Sequence, residues 1–271
     1  MGQTTHDLDL GTDRVTKTFH LRHGDEADRE WDALVLLQRH APGLAPVPLE
    51  QRHHEGRPEV VMSRVPGEPL GSVPLGDAQL DALAGVLHRL HAAVPTDELA
   101  RLPLRRADQA GFVAEMRVWV VEEHATVSAV VEQALAAALA WLSGPEAGAL
   151  AQGPVDRVFT HGDGNIANLL WDGATCRVVD FEDAGVSDPA YEVADLLEHV
   201  SVWLRGIVRP EDLLERLGLS DAQSRRVLSA RRLFATFWLL MLLPGGPADA
   251  RNPPGSLERQ ALRVLDLLRS T

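Results

Sequence analysis

The first pattern of apolar and polar residues along the chain is a strand followed by a helix. Residues 13–21 alternate between apolar and polar side chains, which predicts a strand. Lys17 lies among the inward-pointing apolar residues of that strand. A helix is predicted over Asp28–Gln38, with Glu30 in its first turn. The pattern therefore puts a lysine on an otherwise apolar face.

A second apolar strand is predicted over Glu59–Val65, after a proline-rich loop at residues 42–48. The run Pro66-Gly67-Glu68-Pro69 then interrupts the pattern. We take this interruption as the boundary between a small mixed lobe, residues 1–65, and a larger, mainly helical lobe, residues 66–271.

Helical spacing dominates most of the second lobe. Asp77–Val94 is predicted to be a helix with Asp77 as its N-cap, and Asp108–Leu142 is a helical region interrupted near His124. Further helices are predicted at about residues 189–205, 211–217, 221–243 and 256–269.

A short β-like stretch interrupts the helices at residues 157–160 and 168–180. Asp172-Gly173 indicates a hairpin turn, and folding about it pairs Asn168 with Arg177. Asn168 and Asp180 then emerge at the same open end of the hairpin.

Composition narrows the choice of partners. The 271 residues carry 26 basic and 39 acidic side chains, a net charge of −13, which argues against nucleic acid or an anionic membrane as partner. The charge is compatible with a cationic small substrate, and equally with a simple solubility role. Of the 26 basic residues Lys17 is the single lysine, and the other 25 are arginine.

Nothing in the sequence indicates export or a membrane span. Met1–Leu10 is polar, and the most apolar run, Leu233–Leu243, is too short to cross a bilayer. The single cysteine, Cys176, reads as a small buried residue. We therefore expect a cytoplasmic protein, and both a monomer and a homodimer are compatible with the sequence.

Oxygen-bearing side chains flank the predicted hairpin. Asp163 precedes it in the run His-Gly-Asp-Gly-Asn, and Asn168 and Asp180 lie at its open end. Oxygen ligands without a cysteine or a spaced histidine pair suit a hard cation such as Mg²⁺.

The ordered motifs resemble the aminoglycoside phosphotransferase and choline kinase family. His-Gly-Asp-x-x-x-x-Asn is followed 12 residues later by Asp-Phe-Glu-Asp and then by Asp-Pro-Ala-Tyr. Val-x-Lys-x-Phe, Arg-Glu in the next helix, and Val-Val-Met-Ser-Arg-Val before Pro-Gly-Glu-Pro come in the same order. The resemblance implies an α+β, protein-kinase-like fold of two lobes, with a small mixed N-lobe and a mainly helical C-lobe.

The resemblance also implies roles for particular residues. Asp163 would be the catalytic aspartate, which accepts a hydrogen bond from the substrate hydroxyl, while Asn168 and Asp180 would hold Mg²⁺. Lys17 would bind the α- and β-phosphates of ATP or GTP, with Glu30 as its partner. The residues expected to contact the nucleotide base are Met62, Ser63 and Val65, the last two through their backbone.

Some positions stay open between two roles. Asp183 could bind metal or substrate or only cap a turn, and His161 could take part in the site or only bond the backbone of its loop. Glu122, Glu123, Glu192 and Glu198 could line a site for a cationic substrate or lie on solvated helix faces.

One departure from the family concerns the start of the chain. The family's phosphate-covering hairpin precedes its lysine strand, but only 16 residues precede Lys17, which is short for two strands and a loop. Gly2–Asp7 could be a remnant of the covering loop, with either the first strand of the N-lobe missing or the true start of the chain upstream.

The function that these motifs imply is transfer of the γ-phosphate of ATP or GTP to a hydroxyl of a small molecule. An aminoglycoside-type or other polar antibiotic is the favoured acceptor, and the alternative is a metabolite such as choline, a sugar or an amino-alcohol. A non-catalytic nucleotide-binding protein and a metal-dependent hydrolase using His161, Asp163 and Asp180 are the other readings.

Overall fold

The computed structural model describes residues 6–20, 23–122 and 126–270. Its internal contacts divide the chain into two compact units. Unit 1 comprises Met1–Arg106 and Arg157–Val186, and unit 2 comprises Ala107–Asp156 and Ser187–Thr271. The lobe boundary predicted after Val65 stays a prediction.

The described residues of unit 1 form three small sheets and three α-helices. Its elements are β1 (Asp7–Leu10), β2 (Arg14–Thr18), α1 (Glu26–His40), β3 (Pro48–His54), β4 (Arg57–Ser63), β5 (Glu68–Pro69), α2 (Asp77–His91), α3 (Thr96–Leu99), β6 (Val158–Thr160), β7 (Leu169–Trp171), β8 (Cys176–Val178) and β9 (Gly185–Ser187). The strands form sheets in the orders β1-β2-β4-β3, β5-β7-β8 and β6-β9.

The four-stranded sheet contains the predicted lysine strand at its centre. In β2, Lys17 lies opposite Leu8 of β1 on one side and Val60 of β4 on the other. Only β1 precedes the lysine strand among the described residues, and it occupies part of the segment expected to be a loop remnant. Residues 2–5 and Leu21 lie outside the described residues.

The sequence pattern did not predict strands β1 and β3, because they lie at the edges of this sheet. The residues of β1 are all exposed, and those of β3 are exposed except at its first position. An edge strand with both faces near water has no need of apolar alternation. The sequence predicted no strand over Pro48–His54, which is β3.

The helix α1 begins two residues before the predicted start and ends two residues after the predicted end. The helix α2 begins at Asp77 as predicted, but Gly76 is its N-cap. Gly76 is extended, and its N–H donates to Gln79 Oε1 at 3.1 Å, so Asp77 already belongs to the first helical turn.

The hairpin is present, but its register differs from the prediction by two residues. Leu170 pairs with Arg177, and Asn168 lies opposite Val179, whose N–H donates to the Asn168 carbonyl at 3.0 Å. The turn spans four residues because the Asp172 carboxylate accepts the N–H groups of Ala174 and Thr175 at 2.9 and 2.8 Å. The longer turn still leaves Asn168 near the open end.

Unit 2 is helical. Its helices are α4 (Gln109–Trp119), α5 (Ala129–Leu142), α6 (Pro145–Leu150), α7 (Pro189–Glu198), α8 (Val200–Trp203), α9 (Pro210–Leu217), α10 (Asp221–Met241) and α11 (Ser256–Arg269). The helix predicted over 189–205 is two helices, which meet at His199, and the interruption predicted at His124 lies outside the described residues. Among the described residues, no helix has the length and apolarity needed to cross a membrane.

Candidate active site

The centre of the candidate site in unit 1 is the ammonium group of Lys17. It lies 2.6 Å from Glu30 Oε2 and 2.7 Å from Glu182 Oε2, and it also contacts Asp180 Oδ1. The pair predicted between Lys17 and Glu30 is therefore formed. Three carboxylates surround one buried cation.

Burial and neighbouring charges shift the pKa values of the groups in this cluster. Burial by itself lowers the pKa of Lys17, but the charges of Glu30, Asp180 and Glu182 outweigh it and raise that pKa above its ordinary value. Complete burial raises the pKa of Glu30, against the pull of Lys17. Burial also acts to raise the pKa of Glu182, but hydrogen bonding to His6 and the charge of Lys17 lower it to about 2.

Helix α1 carries Glu30 to the lysine, and Arg29 anchors that helix. Arg29 Nη1 donates to the carbonyls of Leu104 and Ala184 at 3.0 and 2.8 Å. Both carbonyls belong to unit 1. The Arg-Glu pair in the sequence thus combines an anchor for the helix with a partner for the lysine.

Asp163 and Asn168 are joined by a hydrogen bond, with the Asn168 Nδ2 group donating to Asp163 Oδ2 at 2.8 Å. The backbone N–H of Asn165 donates to Asp163 Oδ1 at 2.9 Å, so both carboxylate oxygens are oriented. Since the amide nitrogen of Asn168 is engaged, its oxygen is the atom that can ligate a cation.

The loop before Asp163 needs glycine at position 162. Gly162 has a φ of 92°, and a Cβ there would lie 2.2 Å from the Asp183 carbonyl oxygen. The ring of His161 lies between the carbonyls of Asp163 and Val179, each 2.9 Å from a ring nitrogen. His161 therefore spans the loop and the end of the hairpin.

Asp183 lies against an arginine. Its Oδ1 is 2.8 Å from Arg106 Nε, and its carbonyl accepts the backbone N–H of Arg106 at 3.0 Å. Burial, together with the charges of Asp163 and Glu182, raises the pKa of Asp183. Arg105 also donates to the Gly162 carbonyl at 2.6 Å. Arg105 thus braces the loop that carries Asp163, and Arg106 braces Asp183.

The predicted base-contacting segment ends strand β4. Met62 is buried, and Ser63 and Val65 are half-buried. The Ser63 N–H donates to the Val47 carbonyl at 2.9 Å, and the Val47 N–H donates to Ser63 Oγ at 2.8 Å. Ser63 would therefore contact a base through its carbonyl. This contact remains a prediction.

Sequence reasoning missed Glu182, His6 and Arg106. Glu182 stood in the quoted run Asp-Phe-Glu-Asp, and its position two residues after Asp180 was the available signal. His6 and Arg106 carried no local signal, since their partners are distant along the chain.

Of the acidic residues considered for a cationic substrate, Glu198 does not fit. It is fully buried in unit 2, where Arg231 and Arg263 both lie within hydrogen-bonding distance of its carboxylate. Glu192 is also buried, so neither Glu192 nor Glu198 lies on a solvated face. Glu122 is exposed, and Glu123 lies outside the described residues. Burial raises the pKa of the Cys176 thiol to about 12, which leaves no thiolate for catalysis at neutral pH.

The residues present fit a hard cation. Glu30, Asp180 and Glu182 each offer an oxygen, and these atoms lie within 4.8 Å of one another. The ammonium of Lys17 contacts all three carboxylates. Asp180 is the most exposed of the three side chains, at 40%. Such an all-oxygen set suits Mg²⁺.

The combination of features is typical of a protein-kinase-like phosphotransferase. They are a small antiparallel sheet with a lysine–glutamate pair, a loop aspartate and an adjoining asparagine. The model of the phosphotransferase enzyme family matches residues 4–234, and the chain belongs to that family. Both the resemblance and the α+β fold predicted from it are confirmed.

Solved structures share the fold. A choline/ethanolamine kinase family protein from Mesorhizobium loti has a TM-score of 0.68 at 18% identity, covering 100% of this chain and 87% of that one. Choline kinase LicA from Streptococcus pneumoniae has a TM-score of 0.62 at 17% identity, covering 100% and 92%.

An antibiotic-modifying enzyme has the same fold. A thermostable mutant of aminoglycoside phosphotransferase APH(4)-Ia, in a ternary complex with AMP-PNP and hygromycin B, has a TM-score of 0.63 at 19% identity. The match covers 98% of this chain and 95% of that one. Among the curated proteins none matches this chain significantly. The family supports small-molecule phosphotransfer and leaves the acceptor open.

Proposed function

We propose that the protein transfers the γ-phosphate of ATP or GTP to a hydroxyl of a polar small molecule, with an aminoglycoside-type or related antibiotic as the favoured acceptor. The observation that carries the reaction is the cluster in which Lys17 lies 2.6 Å from Glu30 and also contacts Asp180. A buried lysine held by a helix glutamate is the arrangement used to bind nucleotide phosphates.

Asp163 is the residue that acts on the acceptor. Its two oxygens are oriented by Asn165 and Asn168, so it can accept a hydrogen bond from a substrate hydroxyl without first reorganising. A loose phosphoryl-transfer transition state needs chiefly such positioning and charge neutralisation. The acceptor hydroxyl loses its proton to Asp163 as the γ-phosphorus–oxygen bond to the nucleotide breaks.

Asn168 and Asp180 would hold the metal ion, and Lys17 the α- and β-phosphates. A bound Mg²⁺ supplies charge neutralisation on the phosphate oxygens. Asp180 is suited to holding the metal ion because its side chain is part-exposed. Its backbone, at a φ of 73°, departs from strand geometry. Met62, Ser63 and Val65 would contact the base of the nucleotide.

The case for a cationic acceptor rests on charge. The net charge of −13 attracts a polycation at long range. The solved structure with AMP-PNP and hygromycin B joins a nucleotide and an antibiotic on the same fold. The protein would act in the cytoplasm, in keeping with its single, free cysteine.

Consumption of Mg²⁺-ATP and Mg²⁺-GTP in the presence of aminoglycosides, other hydroxylated antibiotics and choline-like metabolites tests this function. We expect Asp163→Asn to lower kcat by about 10²-fold or more with nucleotide binding nearly unchanged, because in this proposal the carboxylate acts on the acceptor hydroxyl and not on the nucleotide. Asp156→Asn is the matched control, since Asp156 is exposed and lies in the loop before β6.

The outcomes separate the candidate functions. Turnover by the Asp163→Asn protein at the wild-type rate contradicts the catalytic role of Asp163. Transfer to a choline-like metabolite and to no antibiotic selects the metabolite kinase, and nucleotide binding without transfer to any acceptor selects the non-catalytic protein.

A further inference from the structure

His6 is a buried residue of unit 1 that the proposed reaction does not use. It is 4% exposed, and its Nε2 lies 2.6 Å from Glu182 Oε2. The same oxygen lies 2.7 Å from Lys17 Nζ. One carboxylate oxygen therefore meets both the histidine and the lysine.

The backbone defines which ring nitrogen of His6 donates. The N–H of His20 donates to His6 Nδ1 at 3.0 Å, so Nδ1 is an acceptor. A neutral imidazole with an accepting Nδ1 carries its proton on Nε2. Nε2 is therefore the ring nitrogen that carries the proton at the 2.6 Å contact with Glu182.

The fold fixes His6 relative to Lys17. His6 immediately precedes β1, which pairs with β2 so that Leu8 lies opposite Lys17. The rings of His6 and Phe19 are 4.7 Å apart, and the Lys17 ammonium lies 4.7 Å from the centre of the same Phe19 ring. Phe19 therefore supports both residues.

The Lys17 ammonium has three N–H groups, and three carboxylates surround it. A nucleotide phosphate can receive one of these N–H groups only if one carboxylate withdraws. Asp180, which the proposed reaction turns toward the metal ion, is that carboxylate. Glu182 follows it by two residues, and Glu182 and Glu30 are then the carboxylates left to hold Lys17 in position.

We propose that His6 is a positioning residue that holds Glu182 on Lys17 when Asp180 withdraws, so that the lysine offers one N–H to the nucleotide phosphates. The inference rests on the proposed function. His6 touches neither nucleotide nor acceptor in this role, and acts through Glu182.

If His6 only packed against Phe19, phenylalanine could replace it. If His6 acts as a donor to Glu182, glutamine could replace it. Phenylalanine keeps the ring beside Phe19 and lacks the donor. Glutamine lacks the ring and keeps both a donor for Glu182 and an acceptor for the His20 N–H. The variants His6→Phe and His6→Gln therefore separate the two roles.

The test is calorimetric titration of each variant with ATP, alongside KM, kcat and Tm. For His6→Phe we expect Kd and KM for ATP to rise about 10-fold, because the contact between His6 and the charged Glu182 is lost. We expect kcat to change less than about 2-fold. His6→Gln should stay within about 2-fold of wild type in all three quantities.

Glu182→Gln provides the second readout, because it removes the carboxylate charge that both His6 and Lys17 contact. We expect it to raise the Kd for ATP by a similar factor, about 10-fold, and the double variant His6→Phe/Glu182→Gln to be no weaker than either single variant. Should His6→Phe prove unstable, His6→Gln and Glu182→Gln still test the contact.

Each other result counts against the proposal. ATP binding by His6→Phe at wild-type strength, an equal loss in His6→Gln, or additive losses in the double variant all overturn it. A wild-type protein that binds no nucleotide overturns the proposed function as well, whereas wild-type binding with an unaffected His6→Phe overturns this inference alone.

Discussion

At the scale of single residues, the site depends on one lysine among carboxylates. Lys17 is buried, and desolvating an ammonium is costly unless anionic partners compensate. Glu30, Asp180 and Glu182 supply them. The alternation of the strand indicated an inward lysine, and the resemblance supplied Glu30 as its partner, but Glu182 required the structure.

Replacing this lysine by arginine should not be conservative. In Lys17→Arg a planar guanidinium must fit where a compact ammonium meets three carboxylates, so we expect the Kd for ATP to rise about 10-fold or more. Nucleotide titration measures it. Arg209→Lys is the control, because Arg209 is exposed, and an unchanged Kd in Lys17→Arg would show that any cation suffices there.

At the scale of elements, the loop before Asp163 is held by close backbone approach. Gly162 lies against Asp183, Arg105 donates to the Gly162 carbonyl, and the Arg106 backbone N–H donates to the Asp183 carbonyl. The position of Asp163 therefore depends on segments that are distant in sequence. No local pattern could predict this, although His-Gly-Asp itself marked the loop.

The variants Gly162→Ala and Gly173→Ala separate the close approach from backbone strain. Both glycines have φ above 90°, but a Cβ at Gly173 meets nothing within 4 Å. We expect Gly173→Ala to cost about 1 kcal/mol of unfolding free energy through strain alone. Gly162→Ala should cost at least about 2 kcal/mol more, because the Asp183 backbone must shift.

Urea unfolding followed by circular dichroism gives both free energies, and kcat shows whether the loop moves. Equal costs for the two alanine variants would mean that the loop relaxes without effort around a new Cβ.

The elements themselves were predicted to very different degrees. Helix α11 begins and ends at the predicted residues, since its apolar stripe is regular. The hairpin was predicted with the wrong register, because the Asp172 carboxylate enlarges the turn in a way that a dipeptide signal does not reveal. The edge strands β1 and β3 were missed because exposed strands need no apolar face.

At the scale of the whole molecule, charge is distributed between surface and interior in both units. Glu198 in unit 2 is completely buried, and both of its oxygens accept hydrogen bonds from Arg263 at 2.8 and 3.0 Å. Arg231 donates to it as well, at 2.7 Å. Glu198, one of the four glutamates that on sequence alone could line a substrate site or a solvated helix face, therefore belongs to the internal structure of its unit.

Removing that buried charge should destabilise the protein. For Glu198→Gln we expect a loss of about 3 kcal/mol in unfolding free energy, because two arginines lose their common partner. Glu211→Gln breaks an exposed pair with Arg209 at 3.3 Å and should cost less than about 0.5 kcal/mol. Thermal and urea unfolding compare the two, and similar values would contradict a stabilising role for the buried cluster.

The single lysine gives the chain one site for amine-specific acylation and for lysine-specific proteolysis. Besides the terminal amine, Lys17 offers the only primary amine of the protein, and a lysine-specific endoprotease has one peptide bond to cut, Lys17–Thr18. That bond lies in a strand paired on both sides, and the amine is covered by carboxylates. Acylation of that amine or cleavage of that bond therefore reports the opening of the candidate phosphate site itself, without any engineered label.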